Sequence, residues 1–67
     1  MKKAKGREVW KARMESKKAG YENVVFVYYV FAKNAAQAEK RGFELARQEE
    51  DFPQPYCAAA LFEHYVY

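Results

Sequence analysis

The sequence of 67 residues contains a single cysteine, Cys57, and a single histidine, His64. One cysteine cannot form a disulfide within the chain, and one histidine beside it is too few ligands for a zinc site. The sequence has no apolar run of about 18 residues, and its start, MKKAKGREVWKAR, stays polar where a secretory signal would be apolar. These absences predict a soluble cytoplasmic protein that folds without metal or cofactor and has no membrane partner.

The residue patterns of common enzymes are also absent from the sequence. Its only glycines are Gly6, Gly20 and Gly42, which are too far apart for a glycine-rich phosphate-binding loop. No serine or cysteine nucleophile stands at a recognisable spacing from His64. We therefore predict that the protein is not an enzyme.

Charge is distributed unevenly along the chain. Residues 1–18 hold eight basic and two acidic residues, a balance of +6, whereas residues 19–67 hold four basic and seven acidic residues, a balance of −3. A basic segment attracts phosphate groups or acidic protein surfaces, although a lysine-rich terminus is also typical of a solubilising tail. Residues 1–6 show no hydrophobic pattern, so we predict a flexible basic tail followed by a single domain over residues 7–67.

Two strands are predicted in the first half of that domain. The segment EVWKARMES, residues 8–16, alternates, with Trp10, Ala12 and Met14 on one side and charged residues on the other. The segment VVFVYYVFA, residues 24–32, is apolar or aromatic throughout, which predicts a strand with two apolar faces. The loop KKAGYEN between them favours an antiparallel hairpin.

A helix is predicted from Ala35 to about Glu50. Asn34 is a favourable N-cap, and Gln37 three residues later completes a pattern typical of a helix start. Its apolar side consists mostly of small residues and includes Leu45 and, in mid-helix, Gly42. Because glycine there costs about 1 kcal/mol relative to alanine, we expect close packing against a sheet to explain Gly42.

A third strand is predicted over YCAAALFEHYVY, residues 56–67, after the proline-containing connection DFPQPY. The element order is then β-β-α-β. A right-handed crossover through the helix places the third strand beside the first. We therefore predict an α+β fold with one antiparallel three-stranded sheet, strand order 2-1-3, and the helix packed on one face.

The second face of this sheet is the candidate binding surface. We expect Phe26, Tyr28 and Val30, together with Ala58, Ala60 and Phe62, to lie beneath the helix. The residues of alternate parity then face away from it, and an exposed apolar patch on a small protein usually marks an interaction site. With the basic amino-terminal segment, the predicted partner-binding residues are Lys2, Lys3, Lys5, Arg7, Lys11, Arg13, Val25, Val27, Tyr29, Phe31, Leu61 and Tyr65.

The passage YYVFAKNAAQAEKRGFELA, residues 28–46, combines a strand, an asparagine cap and an alanine-rich helix. It resembles very small phage and mobile-element proteins in which a short sheet carries one helix, and among them some type I anti-CRISPR proteins. The resemblance implies a non-enzymatic, stoichiometric inhibitor, located in the cytoplasm of a bacterial host, that docks on a host nucleic-acid-processing complex.

Two alternatives remain open from the residues alone. In the first, the aromatic and basic side chains of the sheet bind nucleic acid directly, by stacking on bases and contacting phosphates. In the second, the protein is a structural homodimer in which the apolar sheet face packs against that of a second copy.

Overall fold

The computed structural model describes residues 6–67, so the predicted binding residues Lys2, Lys3 and Lys5 lie outside the described part of the chain. Its elements are β1 (Arg7–Ser16), β2 (Val25–Phe31), α1 (Ala35–Ala46) and β3 (Pro55–Val66). The strands form one antiparallel sheet in the order β2-β1-β3, and α1 packs on it. The predicted α+β fold and strand order are confirmed.

The pairing of β1 with β2 determines which residues lie beneath the helix. Trp10 is opposite Val30, Ala12 is opposite Tyr28, and Met14 is opposite Phe26. Residues directly opposite each other in an antiparallel pair share a face of the sheet. These residues belong to or pack on the core, so the predicted orientation of both strands is confirmed.

The core consists of two small clusters between the sheet and α1. One contains Met14, Ala46 and Phe52, and the other contains Val30, Ala32 and Ala38. The rings of Phe26 and Phe52 stack with their centroids 4.6 Å apart. Phe52 was predicted only as part of a connection, yet it supplies an aromatic ring to a core in which the buried residues of α1 are all small.

Gly42 is buried where α1 packs against β1. A Cβ atom built on Gly42 would lie 2.6 Å from the Cβ of Ala12. Carbon atoms make favourable contact at about 3.5–4.0 Å, so no side chain fits at this position. The predicted close packing of Gly42 is confirmed.

The helix ends at Ala46, and the prediction that it continues to about Glu50 is wrong. The amides of Gln48 and Glu49 donate to the carbonyls of Leu45 and Ala46, three residues back, which tightens the chain into turns. This change of direction lets Phe52 reach the core. It also avoids extending the helix through acidic residues that its carboxyl-terminal dipole disfavours.

The predicted place of Leu45 on the packed side of the helix is also not observed, because its side chain is 38% exposed. The helix positions that are buried are Ala38, Gly42 and Ala46. Small residues at these positions bring α1 close to the sheet and leave the larger apolar side chains of α1 at its margins.

Strand β3 departs from regular alternation at two β-bulges. Cys57 is opposite Met14 but Ala59 is opposite Arg13, so Ala58 is an extra residue. Likewise Phe62 is opposite Trp10 but His64 is opposite Val9, so Glu63 is an extra residue. Each bulge reverses the parity of the residues that follow it.

The bulges correct two predicted orientations. Cys57, not Ala58, takes the position beneath the helix opposite Met14. Tyr65 is opposite Glu8 and lies on the helix side, where its ring centroid is 5.0 Å from that of Phe62. The prediction that Tyr65 belongs to the uncovered face is therefore wrong, and His64 takes the corresponding position.

Candidate interaction face

The sheet face opposite α1 is called the open face. Its residues follow from the strand registers: Val9, Lys11, Arg13 and Glu15 each have one neighbour in β2 and one in β3, and Arg7 has a neighbour in β3. The open face consists of Val25, Val27, Tyr29 and Phe31 from β2; Arg7, Val9, Lys11, Arg13 and Glu15 from β1; and Tyr56, Ala59, Leu61, His64 and Val66 from β3.

The centre of the open face is a row of three side chains across the sheet. Lys11 lies between Tyr29 on β2 and Leu61 on β3. Tyr29 and Leu61 are each 60% exposed, which is a large fraction for such side chains within strands. The row therefore presents a cation between two apolar contact surfaces.

The adjacent row carries a second cation whose charge is partly balanced. The Nε atom of Arg13 lies 2.9 Å from Oε2 of Glu15, two residues along the same strand. A solvent-exposed pair of this kind stabilises by only about 0–1 kcal/mol, so a partner carboxylate can compete for the guanidinium. Val27 lies beside Arg13 and is exposed.

At one end of the open face, Arg7 and Phe31 form a cation–π contact. The guanidinium carbon of Arg7 lies 5.0 Å from the centroid of the Phe31 ring. Val9, opposite both Phe31 and His64, is only 7% exposed although it lies on the uncovered side of the sheet. This end of the face is therefore well packed and positively charged.

At the other end, Tyr56 donates a hydrogen bond of 2.9 Å from its hydroxyl to the Glu15 carboxylate. This hydrogen bond raises the pKa of Tyr56 above its usual value. The ammonium nitrogen of Lys17 lies 5.9 Å from the centroid of the Tyr56 ring. The Tyr56 hydroxyl, the Glu15 carboxylate and the Lys17 ammonium make this end polar.

A groove of about 730 Å³ lies beside the Arg7 end of the sheet and includes Lys33 and Arg41. The Nη1 atom of Arg41 donates a 2.7 Å hydrogen bond to the Phe31 carbonyl. Part of the Arg41 guanidinium is therefore already bound to the end of β2 and is not available to a ligand. The groove is therefore a weaker candidate than the open face.

The structure brings most of the predicted site residues together. Tyr65 is excluded by the second bulge, and Lys2, Lys3 and Lys5 lie outside the described residues. Tyr56, His64 and Val66 were not predicted, because strict alternation does not show where β3 is bulged. The predicted residues that share the open face are Arg7, Lys11, Arg13, Val25, Val27, Tyr29, Phe31 and Leu61.

The half-buried thiol of Cys57 lies away from the open face and donates to the Ala59 carbonyl at 3.3 Å. Burial raises the pKa of Cys57, and the negative charge of Glu39 raises it further. A raised pKa lowers the thiolate fraction, which makes the thiol less reactive at neutral pH. Within residues 6–67 no group of three histidine, cysteine or acidic side chains could hold a metal ion.

Comparisons of the chain with protein-family models, curated proteins and solved structures find no match. Among the described residues, no helix has the length and apolar character needed to span a bilayer.

Proposed function

We propose that the protein is a non-enzymatic binding protein whose open face docks on an acidic and partly apolar surface of a partner protein. The observation that carries this proposal is the central row, in which Lys11 lies between the strongly exposed side chains of Tyr29 and Leu61. Exposed apolar area beside a cation suits a partner that offers both apolar contacts and carboxylates.

The composition of the open face supports a protein partner. Tyrosine and arginine are enriched among the residues that dominate binding energy at protein interfaces. Arg7, Lys11 and Arg13 carry three positive charges, whereas Glu15 is the acidic residue of the face. This excess of positive charge would accelerate encounter with an acidic surface and orient the docked complex.

The more specific proposal is an inhibitor or modulator encoded by a phage or mobile element. It would act in the bacterial cytoplasm on a host nucleic-acid-processing complex, as the resemblance of residues 28–46 to small anti-CRISPR proteins implies. Surfaces of such complexes that receive nucleic acid are basic, so an inhibitor with a basic open face would have to dock beside them, on acidic parts of the complex.

The test is capture from a bacterial host lysate, treated or untreated with nuclease, by the wild-type protein and by a Lys11→Gln/Arg13→Gln variant. We expect the wild type to retain its partner after nuclease treatment. We expect the variant to bind at least about tenfold more weakly, which corresponds to about 1.4 kcal/mol or more.

The matched control is Lys40→Gln/Arg47→Gln, which removes the same charge from exposed positions of α1 and the residue after it. The control should bind like the wild type, and all proteins should have the same circular dichroism spectrum. Equal loss of binding in both variants would show that net charge, not the open face, governs capture.

Direct binding of single-stranded nucleic acid is the second candidate, favoured by the exposed Tyr29 ring beside Lys11. Stacking of a base on such a ring is worth about 1–3 kcal/mol, and phosphate contacts weaken steeply with salt. Fluorescence-anisotropy titration of a labelled oligonucleotide at low and high salt, with Tyr29→Ala as the variant, tests this candidate. A protein that shows no binding at low salt would exclude it.

A further inference from the structure

Strand β3 is a long strand at a free edge of the sheet. It spans Pro55–Val66 and pairs with β1 along one side only. Its residues 61–66 are all exposed, and Glu63 and His64 are the only members of the acidic and basic residue types in the strand. Long apolar edges are templates for pairing with another strand, and proteins protect them with charged side chains, proline or β-bulges. β3 begins at Pro55 and contains two bulges, so a second strand can pair with it only in a register that accommodates these irregularities.

Backbone hydrogen bonds show which β3 residues face this free edge. The amide of Ala32 donates to the Glu8 carbonyl, and the amide of Lys17 donates to the Gln54 carbonyl. The backbone N–H and C=O groups of successive strand residues point alternately to the two sides of the strand. Those of the odd-numbered β1 residues therefore point toward β3, and those of the even-numbered residues point toward β2. The β3 residues opposite the even-numbered β1 residues therefore point their N–H and C=O groups away from β1, toward the free edge. These residues are Cys57, Ala60, Phe62 and Tyr65.

The β3 residues directed toward the free edge are symmetric about Leu61: Ala60 and Phe62 are one residue from it, and Cys57 and Tyr65 are four residues from it. The extra residues of the two bulges are Ala58, three residues before Leu61, and Glu63, two residues after it. If a second β3 runs antiparallel with Leu61 opposite Leu61, Ala58 lies opposite His64 and Glu63 lies opposite Ala59, so the irregular parts of the two strands lie side by side. Phe62 then lies opposite Ala60, and Tyr65 lies opposite Cys57. In both pairs the backbone groups of the two residues point toward each other, so they can form hydrogen bonds.

The same register pairs small side chains with large ones. The run Ala58 to Ala60 is unfavourable for a strand on intrinsic preference, because alanine is depleted in sheets. In the paired register these alanines lie opposite Phe62, Glu63 and His64 of the second copy. The alanine run thus leaves room for the bulky half of a neighbouring β3.

The charges are also compatible with this register. Glu63 of the second copy lies opposite Ala59, whose other neighbour across the sheet is Arg13 on the open face. No two like charges are opposite each other in this register, because Glu63 and His64 both lie opposite alanines. A dimer that packs one open face on another would instead bring the positive charges of Lys11 and Arg13 in one copy close to those in the other.

We infer that β3 pairs antiparallel with β3 of a second copy about a twofold axis at Leu61. The dimer contains one continuous sheet of six strands, three from each copy. Phe62 and Tyr65, which are 43% and 47% exposed in the single chain, become partly covered by the second copy. This pairing does not depend on the partner proposed for the open face.

The test is disulfide trapping of Leu61→Cys in a Cys57→Ser background. The N–H and C=O groups of Leu61 point toward β1 and away from the second copy. The two Leu61 residues at the axis therefore form a non-hydrogen-bonded pair, whose Cα atoms are about 4.5 Å apart. That separation is within the range of a disulfide. Under mild oxidation we expect a covalent dimer to form in high yield.

The control is Tyr29→Cys in the same background, because Tyr29 is as exposed as Leu61 but lies on the other outer strand. It should remain largely monomeric under the same conditions. Failure of Leu61→Cys to cross-link, or equal cross-linking of both variants, would overturn the inference. Preferential cross-linking of Tyr29→Cys would overturn it too, in favour of contact through β2 or through the open faces.

A second measurement uses Leu61→Glu and Tyr29→Glu in sedimentation velocity. Both substitutions place a carboxylate beside Lys11, so both should be tolerated by the fold. Only Leu61→Glu brings two carboxylates together at the twofold axis. We expect Leu61→Glu to be monomeric and Tyr29→Glu to dimerise like the wild type; a wild-type protein that stays monomeric at all concentrations would refute the dimer.

Discussion

At the scale of single residues, the contact between Gly42 and Ala12 controls how closely the helix approaches the sheet. We expect Gly42→Ala to lower the free energy of unfolding by about 1 kcal/mol. Overpacking costs about 1–3 kcal/mol and exceeds the gain of about 1 kcal/mol in helix propensity. The opposing atom is the Ala12 Cβ, 2.6 Å from the added carbon, and it cannot rotate away.

Urea unfolding of Gly42→Ala, Ala12→Gly and the double variant measures this contact directly. Ala12→Gly removes the opposing carbon, so it should be less destabilising in the Gly42→Ala background than in the wild type. If the two effects simply add, or if Gly42→Ala is stabilising, then helix propensity and not close packing governs this position.

At the scale of elements, the start of α1 is defined by two hydrogen bonds between side chains and backbone amides. The Asn34 side chain accepts from the Gln37 amide at 2.8 Å, and the Gln37 side chain accepts from the Lys33 amide at 2.7 Å. We expect Asn34→Ala to lower the free energy of unfolding by about 1 kcal/mol, because an amide of the first turn loses its acceptor. Denaturant unfolding followed by circular dichroism measures the loss.

Asn34→Asp is the informative control for the cap, since it keeps the acceptor and adds a charge that the helix dipole favours. It should be as stable as the wild type or slightly more so. A loss in Asn34→Asp as large as in Asn34→Ala would mean that the Asn34 amide group, and not its role as acceptor, stabilises the turn.

Elements with local signals could be predicted from the sequence. The alternation in β1 and the Asn34–Gln37 pair depend on residues a few positions apart, and both the strand and the helix start were correctly placed. The face assignment of β2 was also correct, because Ala32 adjoins the turn into the helix where space is short.

Features that depend on distant packing could not be predicted. The chain turns after Ala46 and brings Phe52 into the core, where its ring stacks on that of Phe26. The sequence alone does not show that these two distant residues are in contact. The bulges at Ala58 and Glu63 likewise depend on how β3 fits β1. The prediction for Tyr65 failed for this reason, whereas Leu61, which precedes the second bulge, was correctly placed on the open face.

At the scale of the whole molecule, dimerisation through β3 and binding through the open face are compatible. A twofold axis perpendicular to the sheet keeps both open faces on the same side. The central rows of the two copies would then form one extended surface, with Leu61 from each copy at its middle. A partner with a repeated acidic surface could engage both halves at once, which increases avidity without new contacts.

The dimer also bears on stability, because a chain of 67 residues buries a small core. Association stabilises the folded state by mass action, so the melting temperature of the wild type should rise with protein concentration. Tyr29→Glu should show the same rise, whereas Leu61→Glu should melt at one temperature throughout the series. Differential scanning fluorimetry over a wide concentration range provides the measurement. A wild-type melting temperature that does not change with concentration would show that β3 pairing contributes nothing to the stability of the fold.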